Sequence, residues 1–159
     1  MMIFGKKLSE YCRFQQAILW VLGVVGLAKL ALSLAGLPND TTKWLSLTVL
    51  SIAATLYYGV RVHTSGFGSY KQLLPLIFNQ SVLAHGIIAI GIVIGIMTGH
   101  DNIFTAPEYS GGGDGKTWLH VGAHVVLGMF AGTLVGWLVA SIVMWVTKRV
   151  SRKPAPAVA

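Results

Sequence analysis

The chain has 159 residues, of which 54% are hydrophobic and only 11% charged, and its mean hydropathy is +0.68. A soluble domain carries about 25% charged residues, so this composition excludes a protein that faces water on all sides. The net charge of +7 has no separate soluble basic segment to carry it. We therefore assign the excess to membrane-flanking ends and expect no nucleic-acid partner.

Four apolar runs follow one another along the chain, at residues 14–37, 44–62, 73–98 and 118–147. Each can cross about 30 Å of hydrocarbon as a helix. Helices are expected because backbone polar groups must be satisfied internally in lipid. The sequence predicts an all-α membrane protein, an antiparallel up-down bundle of four transmembrane helices. It forms one domain, residues 1–153, with a disordered tail at 154–159.

The first run resembles a signal peptide, with a basic start and a small-residue site at 33–35. Its apolar stretch is longer than a signal peptide needs, so we interpret it as a retained helix. Basic residues then predict the topology, because they concentrate in cytoplasmic segments. Only Lys43 and Lys116 lie on the outer side, whereas the inner side has nine: Lys6, Lys7, Arg13, Arg61, Lys71, Lys148, Arg149, Arg152 and Lys153. We expect both termini in the cytoplasm and a bacterial cytoplasmic (inner) membrane.

Small residues recur every fourth position in the third and fourth helices. Such ridges let helices approach closely in lipid, and the same groove suits a flat macrocycle or a lipid tail. The glycines predicted to pack helices are these: Gly91, Gly95, Gly99, Gly128, Gly132 and Gly136.

Histidines inside a membrane are candidate ligands. Counted from the outer helix ends, His85 lies about 20 Å deep and His124 about 9 Å deep, at about 1.5 Å per residue. His120 and His124 share one helix face. This depth difference disfavours a haem held between two histidines, but leaves a haem or chlorin with His85 or His124 as its single axial ligand. A metal site of His100, His120 and His124 is a further hypothesis, although the segment lacks the HExxH glutamate.

Polar residues cluster inside the third helix, at Asn79, Gln80, Ser81 and His85. They fit a quinone head group or a small solute, and they also fit hydrogen bonds between helices. No Asp or Glu lies within the four runs, which excludes a carboxylate proton relay of the kind found in pumps.

Three hypotheses about function follow. The first is a non-catalytic structural or accessory subunit of a larger membrane complex, associated with other membrane subunits or itself and holding a lipid, quinone or pigment between the third and fourth helices. The second is a redox or pigment protein that binds haem or chlorin through His85 or His124. The third is a small-solute permease that uses the 79–85 cluster. No catalytic residue set stands out.

Overall fold

A computed structural model of the chain describes residues 2–151 and has four long apolar helices packed antiparallel. They are α1 (Leu8–Leu34), α3 (Leu47–Thr64), α4 (Tyr70–Thr98) and a fourth crossing, Trp118–Val150. Each is long and apolar enough to cross a membrane, the second span being counted from Asn39 to Thr64. The predicted all-α class and four-helix bundle are confirmed, and the chain is an integral membrane protein in contact with lipid. The tail predicted to be disordered, 154–159, lies outside the described residues.

The N-terminus folds into a small hairpin, in which β1 (Met2–Ile3) pairs antiparallel with β2 (Lys6–Lys7). Helix α1 then begins at Leu8, earlier than the predicted start at 14. The Glu10 carboxylate accepts a hydrogen bond of 2.7 Å from the Lys7 N–H, which satisfies a free donor at the helix start. Capping therefore extends the helix through polar residues that hydropathy alone excludes.

The second predicted helix, 44–62, corresponds to α3, and a further short helix lies before it. A short α2 (Asn39–Thr42) precedes α3, whose first turn is capped by Ser46, with its Oγ accepting from the Val49 N–H at 3.3 Å. Helix α4 begins at Tyr70, where Ser69 and Gln72 form a capping box, and ends at Gly99 with φ of +73°. Glycine favours this left-handed end because it has no Cβ.

The fourth crossing is not a uniform α-helix. It consists of α5 (Trp118–Ala123), a π-helical segment (His124–Ala131) and α6 (Gly132–Val150). π-Helical turns are rare and frequently lie at functional sites. This segment begins at His124, which directs attention to that part of the bundle.

Helix α4 is the central element, since it packs against α1, α3 and the fourth crossing, while α3 also packs along α6. Helices α3 and α6 approach closely at Gly59, where an added Cβ would lie 2.7 Å from the Ala140 carbonyl oxygen. Gly59 was not among the predicted packing glycines.

The α4 glycines have neighbours that differ from the expected helix ridge. An added Cβ at Gly91 would meet the Phe104 ring at 2.5 Å and Leu30 of α1 at 3.1 Å, and one at Gly95 would meet Thr105 at 2.8 Å. Phe104 and Thr105 belong to the loop after α4. These two glycines therefore make room chiefly for a loop, and Gly99 ends the helix instead of packing it.

The glycines of the fourth crossing do face α4. An added Cβ at Gly128 would lie 2.5 Å from His85, and one at Gly136 would lie 2.8 Å from Ile77. The two contacts are eight residues apart on each helix, and the residue numbers run in opposite directions. They define an antiparallel register between α4 and the fourth crossing. Gly132 lies between them with more space, its nearest α4 atom being Nε2 of His85 at 3.9 Å.

Both described ends of the chain lie at one face of the bundle, here called the terminal face. The Gln72 amide donates to the Phe4 carbonyl at 2.8 Å, and the Lys148 ammonium lies 4.1 Å from the Tyr70 ring centroid. The opposite end, which carries segments 35–46 and 99–117, is called the loop face.

Candidate functional site

The long loop at the loop face is folded into the bundle, and residues 102–106 are buried. The Asn102 amide donates to the Gly91 carbonyl at 2.7 Å, and the Ile103 N–H donates to Ser33 Oγ at 2.7 Å. These hydrogen bonds connect the loop to α4 and α1. The loop is therefore a fixed cover over one end of the bundle.

Charged residues close the base of this loop. The Lys116 ammonium lies 2.6 Å from Asp101 and 3.1 Å from Asp114. The backbone N–H of Lys116 hydrogen-bonds the Asp114 carboxylate, which lowers the pKa of that carboxyl. The hydrogen bond to Asp101 raises the pKa of the Lys116 ammonium. This network holds the chain beside Gly115, where an added Cβ would clash with the backbone of Thr105.

His85 and His124 meet inside the bundle, with their Nδ1 atoms 2.9 Å apart and their ring centroids 5.2 Å apart. The prediction that they lie at mismatched depths was wrong. It assumed that α4 ends level with the start of the fourth crossing. The register set by Gly128 and Gly136 instead places Trp118 opposite Gly95, below the end of α4, and the two side chains span the remaining offset.

This contact has a consequence for metal ligation. Two imidazole nitrogens on opposite sides of a haem iron stand about 4 Å apart, since each bond is about 2.0–2.1 Å. The 2.9 Å separation is that of a direct N–H···N hydrogen bond. In this geometry the His85 and His124 Nδ1 atoms bind each other and not an iron between them.

His120 continues the cluster toward the loop face. Its ring lies 5.0 Å from that of His124, and its Nδ1 is 2.9 Å from the Gly115 carbonyl oxygen. A carbonyl oxygen only accepts, so His120 Nδ1 bears the hydrogen and its Nε2 is free to accept a proton. The three histidines therefore form a continuous row from the loop to the middle of α4.

A groove of about 470 Å³ begins where this row ends, between α3, α4 and the fourth crossing. Its volume lies within the range of about 300–1,000 Å³ typical of ligand pockets. Gly132 and Gly136 form part of its wall, and the Nε2 of His85 is directed toward Gly132. Its polar lining residues are Thr48, Ser51, Thr55, Gln80, Ser81 and His85.

Gln80 is the most buried polar residue of this groove, at 2% exposure. Its Nε2 donates to the Ser51 carbonyl at 3.2 Å and to Thr55 Oγ1 at 2.9 Å. The Ser51 carbonyl cannot donate, so the amide orientation is fixed. The Gln80 Oε1 consequently remains buried without a hydrogen-bond partner among residues 2–151. A buried acceptor in this state costs about 1–3 kcal/mol.

Asn79 lies away from the groove, so the predicted polar cluster is divided. It lines a separate cavity of about 560 Å³ near the terminal face, together with Phe4, Phe130 and Thr133. Its Nδ2 has no hydrogen-bond partner within the described part of the chain. Only Gln80, Ser81 and His85 of the cluster share the groove.

The predicted metal ligands do not all come together. His120 and His124 are adjacent, whereas His100 is an exposed loop residue whose backbone N–H donates to Thr98 Oγ1 at 3.3 Å. Within residues 2–151, no group of three or more His, Cys, Asp or Glu side chains is arranged to hold a metal ion. The neighbour of His124 is His85.

Sequence reasoning missed the histidine contact itself. Gly128 was the available signal, because the histidine ring occupies the space that this glycine leaves open on the fourth crossing. The roles of the Gly115 carbonyl and of Ser51 were not visible in any spacing. No protein-family model, curated protein or solved structure matches this chain.

Proposed function

We propose that this protein binds a lipid-soluble molecule that bears a hydroxyl group, of the hydroquinone or phenol class, in the groove between α3, α4 and the fourth crossing. It would do so as a non-catalytic accessory subunit of a larger membrane complex in the bacterial cytoplasmic membrane. Both termini would be cytoplasmic, with the loop face outside. The observation that carries the proposal is the buried, unpartnered Oε1 of Gln80, a residue that lines the groove together with His85.

The chemistry of the groove selects a donor. Gln80 Oε1 is an acceptor, and its amide cannot turn over without placing oxygen against the Ser51 carbonyl. His85 Nε2 is a second acceptor when its Nδ1 donates to His124. A hydroxyl group can donate a hydrogen bond to either acceptor. An ether or an oxidised quinone has no hydrogen to donate to them. Most of the remaining wall is apolar, with Ile77, Ile88 and Val135 among its residues, which suits an aromatic ring.

A direct test compares two probes that differ in one hydrogen. We expect 2-naphthol to bind the protein in lipid nanodiscs about tenfold tighter than 2-methoxynaphthalene, the difference that one hydrogen bond of about 1.4 kcal/mol produces. Gln80→Leu is expected to remove most of this preference. Gln16→Leu is the matched control, because Gln16 is an exposed residue of α1 outside this groove. Equal affinities of the two probes for the unmodified protein would overturn the proposal.

The macrocycle hypothesis competes for the same side chains. A haem or chlorin ligated by His85 or His124 requires that the ligating ring present Nε2, since both Nδ1 atoms are in mutual contact. Visible absorbance of the protein purified from its native membrane distinguishes the two. A Soret or chlorin band stoichiometric with protein would favour the macrocycle, and its absence would favour the hydroxyl-bearing ligand.

The permease hypothesis shares the groove but requires transport through it. It predicts solute uptake into liposomes that contain the protein, with loss of uptake in Gln80→Ala. The accessory-subunit hypothesis predicts no uptake and co-purification of other membrane subunits in mild detergent.

A further inference from the structure

We propose that His120, His124 and His85 form a proton path that connects the groove to water at the loop face. The inference rests on the proposed function only for the identity of the proton donor, since the path itself is defined by the three side chains. Such a path would let the hydroxyl proton of the bound ligand exchange with water on one side of the membrane.

The positions of the hydrogens follow from the loop inward. The Gly115 carbonyl requires the hydrogen of His120 at Nδ1, so Nε2 is the ring nitrogen of His120 that is left to accept a proton. The ring of His124 lies 5.0 Å from that of His120. With its hydrogen at Nε2, His124 is the tautomer whose Nδ1 accepts from His85 Nδ1 at 2.9 Å. This arrangement leaves His85 Nε2, the atom nearest Gly132, as an acceptor within the groove.

A proton passes along this row with every atom accounted for. The ligand O–H bond breaks as His85 Nε2 gains the proton, and the Nδ1 proton of His85 moves to Nδ1 of His124. The Nε2 proton of His124 moves to Nε2 of His120, which releases it to water. The ligand becomes an anion, and the His85–His124 hydrogen bond is reversed in direction. Return of a proton along the same route restores all three rings.

The groups around the three histidines favour this route for the proton over one through α3. The α3 side of the groove contributes hydroxyl and apolar groups, namely Thr48, Ser51, Ile52 and Thr55, and no titratable side chain. At the loop end, Gly115 is flanked by Asp114 and Lys116, which are accessible to water. The π-helical segment begins at His124, where the fourth crossing departs from α-helical geometry. Histidine is suited to the task because neutral imidazole has one donor and one acceptor nitrogen.

The test follows the proton shared by His85 and His124 in nanodiscs that contain the full chain labelled with ¹⁵N-histidine. A nitrogen–nitrogen coupling across the N–H···N hydrogen bond identifies the pair, and the exchange rate of its proton with deuterated water reports access. His120→Asn retains a side-chain N–H for the Gly115 carbonyl but lacks the second nitrogen. We expect this variant to slow the exchange about 100-fold, the scale of a positioned acid–base group. His100→Asn, on an exposed loop residue, is expected to change nothing.

The proposal is overturned if His120→Asn exchanges at the original rate while the coupling between His85 and His124 is retained. It is also overturned if no coupling between the two rings is observed in the unmodified protein. Binding of 2-naphthol separates this result from the proposed function. Because His120 is outside the groove, His120→Asn is expected to bind the probe normally. Slowed exchange in a protein that never binds 2-naphthol would support the path and reject the ligand.

Discussion

Gly128 of the fourth crossing lies against the imidazole of His85, so closely that an added Cβ would be 2.5 Å from Nδ1 and 2.6 Å from the ring carbon beside it. The same Nδ1 of His85 lies 2.9 Å from the Nδ1 of His124. The absence of a side chain at one position is therefore what allows two histidines to pair in the interior of the bundle.

Gly128→Ala is expected to displace His85 and break the histidine pair. Inserting a methyl group into a packed interior costs about 1–3 kcal/mol of unfolding free energy. We expect loss of the His85–His124 nitrogen coupling and weaker binding of 2-naphthol. Unfolding in mixed detergent micelles and probe titration measure the two effects.

Gly122→Ala is the matched control for this variant, because an added Cβ at Gly122 meets no atom within 4 Å. Replacing a helical glycine by alanine in open space stabilises by about 0.5–1 kcal/mol. If the two variants behave alike, the contact between Gly128 and His85 does not determine the site.

Gly59→Ala tests the contact between α3 and α6. The added Cβ would lie 2.7 Å from both the Ala140 carbonyl oxygen and the Cβ of Val143, and neither atom is at the end of a flexible side chain. The helices must separate, so we expect a loss of about 1–3 kcal/mol of unfolding free energy. Gly23→Ala in α1 has no atom within 4 Å and serves as the control. Equal stability of the two variants would contradict close packing at Gly59.

Hydropathy was sufficient to predict the number of crossings, since each helix must supply a long apolar stretch regardless of its neighbours. It was not sufficient to predict helix starts. Those depend on local capping by Glu10, Ser46 and Gln72, whose side chains accept hydrogen bonds from backbone N–H groups at the helix starts.

The site was harder to predict than the fold because it depends on register. A shift of the fourth crossing relative to α4 by about one turn decides whether His85 meets His124. The space at Gly91 and Gly95, near the loop end of α4, is occupied by Phe104 and Thr105 of the loop. The glycine spacing indicated that another segment packs closely there. It did not indicate that this segment is a loop and not a helix.

The loop base is expected to loosen at low pH. The Asp114 carboxyl has a pKa below the ordinary value of 3.8. Its contribution to loop stability is therefore present above pH 3.8 and is lost as the pH falls through the lowered pKa. The pKa of the Lys116 ammonium is raised above 10.5, so its contribution is present below that value and is lost as the pH rises beyond the raised pKa. Between these limits the loop should be equally ordered.

A spin label at Gly113→Cys in a Cys12→Ser background measures this order, because an added Cβ at Gly113 meets no atom within 4 Å. We expect constant mobility at neutral pH and increased mobility once Asp114 is protonated. Lys116→Gln removes the partner of Asp101 and Asp114 and should give a mobile label at every pH. A label in the unmodified loop that remains immobile after carboxyl protonation would show that ion pairing does not order the loop.

The proposed orientation is tested with the single cysteine of the chain. Cys12 is exposed near the start of α1, at the terminal face. Nine basic residues in the predicted inner segments, against two outside, predict that this face is cytoplasmic. A membrane-impermeant maleimide should therefore leave Cys12 unlabelled in intact bacterial cells and label it after the membrane is opened. Gly113→Cys in the Cys12→Ser background, at the loop face, should be labelled in intact cells. The reverse pattern would invert the proposed topology and would place the outlet of the histidine path in the cytoplasm.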